Sequence, residues 1–154
     1  MKRLVANQKR SSELKGISRR QFVKIVGISA LGASSLGHFK FETNRVSIVV
    51  DPADVLAGST PSQWAVRELE ESLKSRGINV YRCDLLAQAR NSDLIIVAAG
   101  SDSFLSRKLL QDTGVIIPAV PEALGVVPSR SDDKRVLLAC GHDVRGLVYA
   151  LLEL

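Results

Sequence analysis

The sequence has little of what builds metal, disulfide or nucleotide sites. Two cysteines among 154 residues are too few for a disulfide framework, and neither has the spacing of a metal ligand. The chain contains no Gly-x-Gly-x-x-Gly pattern, no phosphate loop and no Gly-x-Ser-x-Gly nucleophile elbow. We therefore expect no cofactor, no bound metal and no catalytic residue.

Long apolar runs are also missing. The uncharged stretch at 25–37 is thirteen residues long and is diluted by glycines and serines, whereas a membrane-spanning helix needs about 20 apolar residues. We expect no stable membrane span. At 45% hydrophobic and 24% charged residues, the composition is that of a globular protein.

Positive charge is confined to the N-terminal segment. Residues 1–37 hold eight basic residues and one acidic residue, a net charge of +7, although the whole chain carries only +5. The remainder carries 13 basic and 15 acidic residues, a net charge of −2. Because the remainder offers no basic stripe to follow phosphates, we exclude nucleic acid as a partner.

Residues 18–24 (SRRQFVK) resemble a twin-arginine export signal, with the short uncharged stretch directly after them. The resemblance implies recognition by the twin-arginine export machinery and delivery to the periplasm or cell exterior of a bacterium or archaeon. We expect a signal peptide at 1–37 and a linker at 38–44, with 33–35 (ASS) as a rival cleavage site. The alternative is a cytosolic basic tail that leads into a helix. The residues that carry the signal are Arg19, Arg20, Phe22 and Lys24.

Hydrophobic periodicity predicts one α/β domain at 45–154. Short β-branched or continuously apolar runs predict strands, and apolar residues at four-residue spacing predict helices. We expect a small α/β sandwich with a mixed sheet of about four to six strands and about three helices. Strands are predicted at 46–50, 78–82, 94–99 and 115–117 and in a hairpin at 122–127 and 135–140. A helical turn is predicted at 85–89, and helices from 61, 104 and 144.

Capping residues predict where the helices begin and end. Thr60 is expected as the first N-cap, with Pro61 in the first turn and Gln63 completing a capping box. Gly77 is expected to end that helix in the left-handed conformation. For the later elements, the predicted caps are Asp84, the 101–103 segment (SDS) and Asp143.

Candidate chemical groups are few, and each has a simpler structural interpretation. Glycoside hydrolysis requires two carboxylates, but the pairs at 70–71 and 132–133 are expected to be solvated surface charges. Ser101, His142 and Asp143 contain the residue types of a catalytic triad, although His142 and Asp143 are more simply helix-capping residues. The 100–103 segment (GSDS) lies where an α/β sheet places a ligand, so an anion or a sugar hydroxyl is a possible occupant.

Three further side chains leave alternatives open. Trp64 is either a platform for a sugar ring or a residue partly buried against the sheet. Cys83 and Cys140 are either a disulfide, which an exported protein permits, or two buried thiols. We favour burial in both cases.

Residues 145–149 (RGLVY), together with the helix pattern at 64–69 (WAVREL) and the preceding hairpin, resemble the N-terminal accessory domain of alpha-glucuronidases and beta-hexosaminidases. The resemblance covers about 45–154. It implies a hexosaminidase N-terminal-domain-like fold that supports a separate catalytic (β/α)₈ barrel, so no catalytic carboxylate is expected here. Ala150 departs from the family, which usually has glycine there.

We therefore expect an exported accessory domain of a glycoside hydrolase-like protein, with a role in carbohydrate metabolism. The partners it implies are a catalytic barrel domain or a carbohydrate. One alternative is a stand-alone carbohydrate-binding or interaction module. Another is a fragment of a longer enzyme, for which an exposed apolar stripe along Leu147, Leu151 and Leu154 would argue.

Overall fold

A computed structural model describes residues 44–154. The predicted signal peptide, with Arg19, Arg20, Phe22 and Lys24, and the linker as far as residue 43 lie outside the described residues. The described part is an α/β domain with a five-stranded mixed sheet and three helices. In chain order its elements are β1 Arg45–Val50, α1 Thr60–Ser75, β2 Asn79–Cys83, a 3₁₀ turn Leu86–Gln88, β3 Leu94–Gly100, α2 Phe104–Leu110, β4 Leu124–Ser131, β5 Lys134–Gly141 and α3 Val144–Leu152.

The strand order across the sheet is β2-β1-β3-β5-β4. Neighbouring strands are parallel from β2 to β5, and β4 pairs antiparallel with β5 through the hairpin. The register is continuous through the centre, where Val49 pairs with Val97 and Val97 pairs with Leu138. The predicted hairpin is confirmed, and both of its arms are longer than the sequence indicated.

Both faces of the sheet are covered, which explains why β3 is buried along its whole length. On one face α1 and α3 pack together, with Ala65 and Leu69 from α1 and Leu147 and Leu151 from α3 in a single apolar cluster. The other face is covered by α2, through Leu109, and by the chain around the 3₁₀ turn. Full burial of a leucine side chain contributes about 1.5–3 kcal/mol, so these positions secure the helices.

Several local predictions are wrong at the helix starts. Ser59, not Thr60, is the N-cap of α1, and its hydroxyl donates to the carbonyl oxygen of Leu56 (2.8 Å). Asp84 does not cap the 3₁₀ turn; instead Gln88 Oε1 accepts hydrogen bonds from the backbone amides there. Gly77 does take a positive φ of 76° at the end of α1.

The segment 115–117 is not a strand. Ile116 is 87% exposed, and the following proline at 118 has no amide hydrogen for a ladder. Phe104 of α2 and Leu152 of α3 are apolar, but they are 79% and 49% exposed. In each case the apolar residue follows the helical period but lies at an end of its helix, beyond the area that the sheet covers.

Candidate functional site

The ends of the parallel strands form the best-defined candidate position. β1, β2, β3 and β5 run in the same direction, so their carboxyl ends meet at one edge of the sheet, which we call the carboxyl edge. The chain leaves β1 toward the face covered by α1 and leaves β3 toward the face covered by α2. This divergence creates a crevice between β1 and β3, the position where open α/β sheets commonly bind ligands.

The crevice is filled by the protein's own carboxylate. Asp54 Oδ2 accepts a hydrogen bond from the backbone amide of Gly100 (2.7 Å), and Asp54 Oδ1 accepts from the amides of Leu56 (2.9 Å) and Ala57 (3.1 Å). Amides at this place in a fold are suited to bind an anion. Because Asp54 already supplies the negative charge, the amide of Gly100 is not available to an external phosphate or carboxylate.

Gly100 makes a close contact in the same arrangement. A Cβ at position 100 would lie 2.9 Å from Leu56 Cδ1 and 3.4 Å from Asp54 Oδ1. The loop after β1 thus packs directly on the end of β3. The sequence predicts a ligand position at 100–103 but does not predict the role of Asp54. The available signal was an aspartate shortly after Asp51 and Pro52, which follow β1, because aspartate in such turns favours hydrogen bonds to the backbone.

The residues considered as a catalytic triad have other partners. Ser101 is buried, and its backbone amide donates to the carbonyl oxygen of Gly141 (2.8 Å). His142 Nδ1 lies 3.9 Å from Asp102 Oδ2, beyond hydrogen-bonding distance. Asp143 accepts from the amides of Gly146 (2.8 Å) and Glu122 (2.9 Å). Within residues 44–154 there is no hydrogen bond between Asp143 and His142, and such a bond is what orients the base of a triad.

Asp143 is a helix cap, as predicted. The amide hydrogen bonds from Gly146 and Glu122, assisted by the nearby His142, lower the pKa of its carboxyl group. The Glu122 bond also ties α3 to the segment that enters β4. A carboxylate stabilised in its ionised form in this way is poorly suited to act as a general acid.

The RGLVY motif is explained by close packing. Gly141 and Gly146 both lack room for a Cβ, which would overlap the backbone of Leu147 in the first case and the carbonyl oxygen of Ala123 in the second. Gly146 therefore allows α3 to approach the loop before β4 closely. Arg145 lies outside, where its Nη1 is 3.1 Å from Glu122 Oε1.

Two shallow clefts lie at the carboxyl edge, on either side of Asp102. One is lined by Val55 and Phe104 together with Asp51 and Asp54, and the other by the 114–117 segment together with Ser101 and Arg107. The side chain of Asp102, which borders both clefts, is 88% exposed. Val55, Phe104 and Ile116 are 84%, 79% and 87% exposed, so both clefts have uncovered apolar walls.

The remaining carboxylate pairs have no catalytic arrangement. Glu70 is only 15% exposed, contrary to expectation, and lies 3.5 Å from Arg82 Nη1 and 3.6 Å from Lys74 Nζ. Glu71 is exposed, as predicted. The pair at 132–133 forms the turn between β4 and β5, where Asp132 has a φ of 52°.

The sequence leaves two alternatives for Trp64 and two for the cysteine pair. Trp64 is 44% exposed, so it is less buried than the favoured interpretation expects. Cys83 and Cys140 are buried free thiols. Because β1 and β3 lie between their strands, the two strands are about 14 Å apart. Burial raises the pKa of the Cys140 thiol to about 11, and burial together with Asp84 raises the pKa of Cys83.

The described part of the chain holds no group of three or more histidine, cysteine, aspartate or glutamate side chains able to bind a metal ion. Across 44–154, no helix is long and apolar enough to cross a membrane. Comparisons with protein-family models, curated proteins and solved structures gave no match.

Proposed function

We propose that this protein is an exported, non-catalytic accessory domain of a glycoside hydrolase-like protein, and that it supports a catalytic barrel domain by packing against it. One observation carries the proposal. At the carboxyl edge, Asp54 and Asp143 are engaged by backbone amides, whereas large apolar side chains beside them are exposed. Such an edge is better suited to a protein contact than to chemistry.

The form of α3 refines the proposal. Leu147 and Leu151 are buried on the domain's own sheet. They therefore do not form the exposed apolar stripe that would have favoured a fragment with an uncovered last helix. Arg145, Tyr149 and Leu152, at spacings of four and three residues, lie on the exposed side of the same helix. A domain that is closed in this way supports a partner with its outer surfaces rather than by sharing a core.

The size of the native polypeptide tests the accessory role. We expect an antibody raised against the full chain to detect, in extracytoplasmic fractions, a protein larger than 16.7 kDa by at least a barrel of about 250 residues. A band at or below the size of this chain would contradict the accessory role.

Export is tested separately by substitution of the two signal arginines. Arg19→Lys with Arg20→Lys should retain the protein in the cytoplasm, whereas the control Arg3→Lys with Arg10→Lys keeps the same net charge and should be exported. Equal export of both variants would contradict the twin-arginine route.

Catalytic silence is tested with the full chain and a panel of aryl glycosides. We expect no release of the aryl group above that of a mock preparation. Turnover that follows the purified protein through successive columns would overturn the non-catalytic assignment.

Stand-alone saccharide binding is the second candidate, and the exposure of Trp64 and Phe104 favours it because aromatic rings form apolar platforms. Calorimetric titration of the full chain with neutral oligosaccharides tests this function. Binding that is lost in Trp64→Ala or Phe104→Ala, but kept in the control Tyr149→Ala, would favour it over the accessory role. Heats indistinguishable from dilution would exclude it for the sugars tested.

A further inference from the structure

The carboxyl edge combines uncovered apolar side chains with negative charge. We propose that Val55, Phe104 and Ile116, with the carboxylates of Asp51 and Asp102, form a docking surface for a protein partner that presents lysine or arginine next to an apolar side chain. We call these five residues the acidic apolar surface. The inference deepens the proposed function, on which it rests, by placing the contact with the supported domain and assigning the chemistry of its other side.

The apolar part of this surface is defined by exposure. Val55, Phe104 and Ile116 are the three most exposed large hydrophobic residues in the described chain, at 84%, 79% and 87%. Val55 and Phe104 line one cleft, Ile116 lines the other, and Asp102 lines both. The three side chains therefore lie in the two clefts that share Asp102 instead of being scattered singly over the molecule.

The connecting segments at this edge carry charge of one sign. The connecting segments at 51–59, 84–85, 101–103, 122–123 and 142–143 hold six carboxylates and no lysine or arginine. Three cations lie near these segments. Arg145 pairs with Glu122 at 3.1 Å, and Arg82 lies 3.5 Å from Glu70. Arg107 lines the cleft of Ile116. The negative charges of Asp51 and Asp102 attract a basic partner and repel an acidic one.

The same charges argue against other occupants. An anionic ligand would meet Asp54, which already fills the amide position at the end of β3. A second copy that docked edge to edge would bring the two sets of carboxylates together, and like charges placed opposite each other are costly. A basic partner with an apolar anchor satisfies both halves of the surface, since the anchor removes apolar area from water at about 25 cal/mol per Å².

A pair of synthetic peptides tests this chemistry on the isotopically labelled full chain. The first peptide carries Leu-Phe-Leu flanked by lysines, and the second carries the same core flanked by glutamates. We expect only the lysine peptide to shift amide resonances in the segments around Val55, Phe104 and Ile116. Raising the sodium chloride concentration should weaken binding because salt screens exposed charges.

Substitutions localise the contact. Phe104→Ser should weaken binding of the lysine peptide by about tenfold, the size expected for an aromatic anchor, and Asp51→Asn with Asp102→Asn should remove its salt dependence. Tyr149→Ser is the matched control, since this aromatic residue is also exposed but lies on α3, and it should leave the affinity unchanged. Equal binding of both peptides, no binding of either, or no effect of Phe104→Ser would overturn the docking surface.

The docking surface and the accessory role can fail independently of each other. A native polypeptide no larger than this chain, combined with selective binding of the lysine peptide, would remove the accessory role and leave a docking surface for a separate partner. A longer polypeptide whose isolated accessory chain ignores both peptides would support the accessory role and overturn the surface.

Discussion

At the edge of the sheet where the parallel strands begin, which we call the amino edge, a buried carboxylate accepts hydrogen bonds from side chains. At the carboxyl edge a partly buried carboxylate accepts them from backbone amides instead. Asp93 is 1% exposed and accepts from the hydroxyl of Ser47 (2.7 Å), with Arg45 Nε at 3.5 Å. Asp54 instead accepts from three amides. Side chains thus close one edge, and loop backbone closes the other.

The two edges also differ in what they expose. The connecting segments at the amino edge, 76–78, 90–93 and 132–133, carry no exposed large hydrophobic residue in the described chain, whereas Val55 and Leu85 lie in the segments of the carboxyl edge. Where backbone amides satisfy the buried polar group of an edge, the side chains of its loops are not needed for that role and can point outward. The comparison indicates that the amino edge serves stability and that the carboxyl edge is the face available to partners.

Gly141→Ala should have the largest effect on stability. It tests how tightly the carboxyl edge is packed. The new Cβ would overlap the backbone of Leu147, which cannot move without displacing α3. We expect a loss of at least about 3 kcal/mol in the free energy of unfolding, or failure to fold. Urea denaturation followed by circular dichroism measures it.

Gly114→Ala is the control for that substitution. Gly114 also lies near this edge, but a Cβ there meets nothing within 4 Å, and its φ of 68° makes the change strained only locally. We expect a loss of about 1 kcal/mol. Similar losses at both glycines would show that close packing at the end of β5 is not what holds the edge.

Asp93→Ala and Asp54→Ala compare the two closures directly. Asp93→Ala leaves the fully buried hydroxyl of Ser47 without its partner, and we expect a loss of about 2–3 kcal/mol. Asp54→Ala frees three amides at a partly exposed site that water can reach, and we expect about 1–2 kcal/mol. Denaturant titration of both variants gives the comparison, and a larger loss in Asp54→Ala would reverse it.

The pH dependence of stability distinguishes an ionised helix cap at Asp143 from a neutral one. Its pKa is lowered in the folded protein, so the unfolded chain binds more protons as pH falls below the unfolded value of about 3.9. The stabilisation is complete above that value and is lost as pH falls through the lower folded pKa. The stability advantage over Asp143→Asn, from thermal unfolding, should therefore be constant near neutral pH and shrink below about pH 4. A constant difference down to pH 2 would contradict this assignment.

Local patterns predicted the interior of this fold well, and its edges poorly. The apolar period of α1 and the continuous run of β3 face the interior, so burial enforced their patterns. Ile116 is apolar but 87% exposed, and hydrophobicity alone predicted a strand there. The role of Asp54 depends on Gly100, forty-six residues away, and no local pattern specifies that pairing.

Ile116→Ser should have the smallest effect on stability, and it tests whether the exposed apolar side chains of the carboxyl edge serve the domain itself. Because Ile116 is 87% exposed, its replacement removes little buried area, and we expect a change within about 0.5 kcal/mol in the free energy of unfolding. Leu109→Ser on α2, which is buried at 2% exposure, is the contrast and should cost several times more. Urea titration of both variants measures the difference. A loss at Ile116 comparable to that at Leu109 would mean that its segment packs against the domain, and the carboxyl edge would then resemble the amino edge.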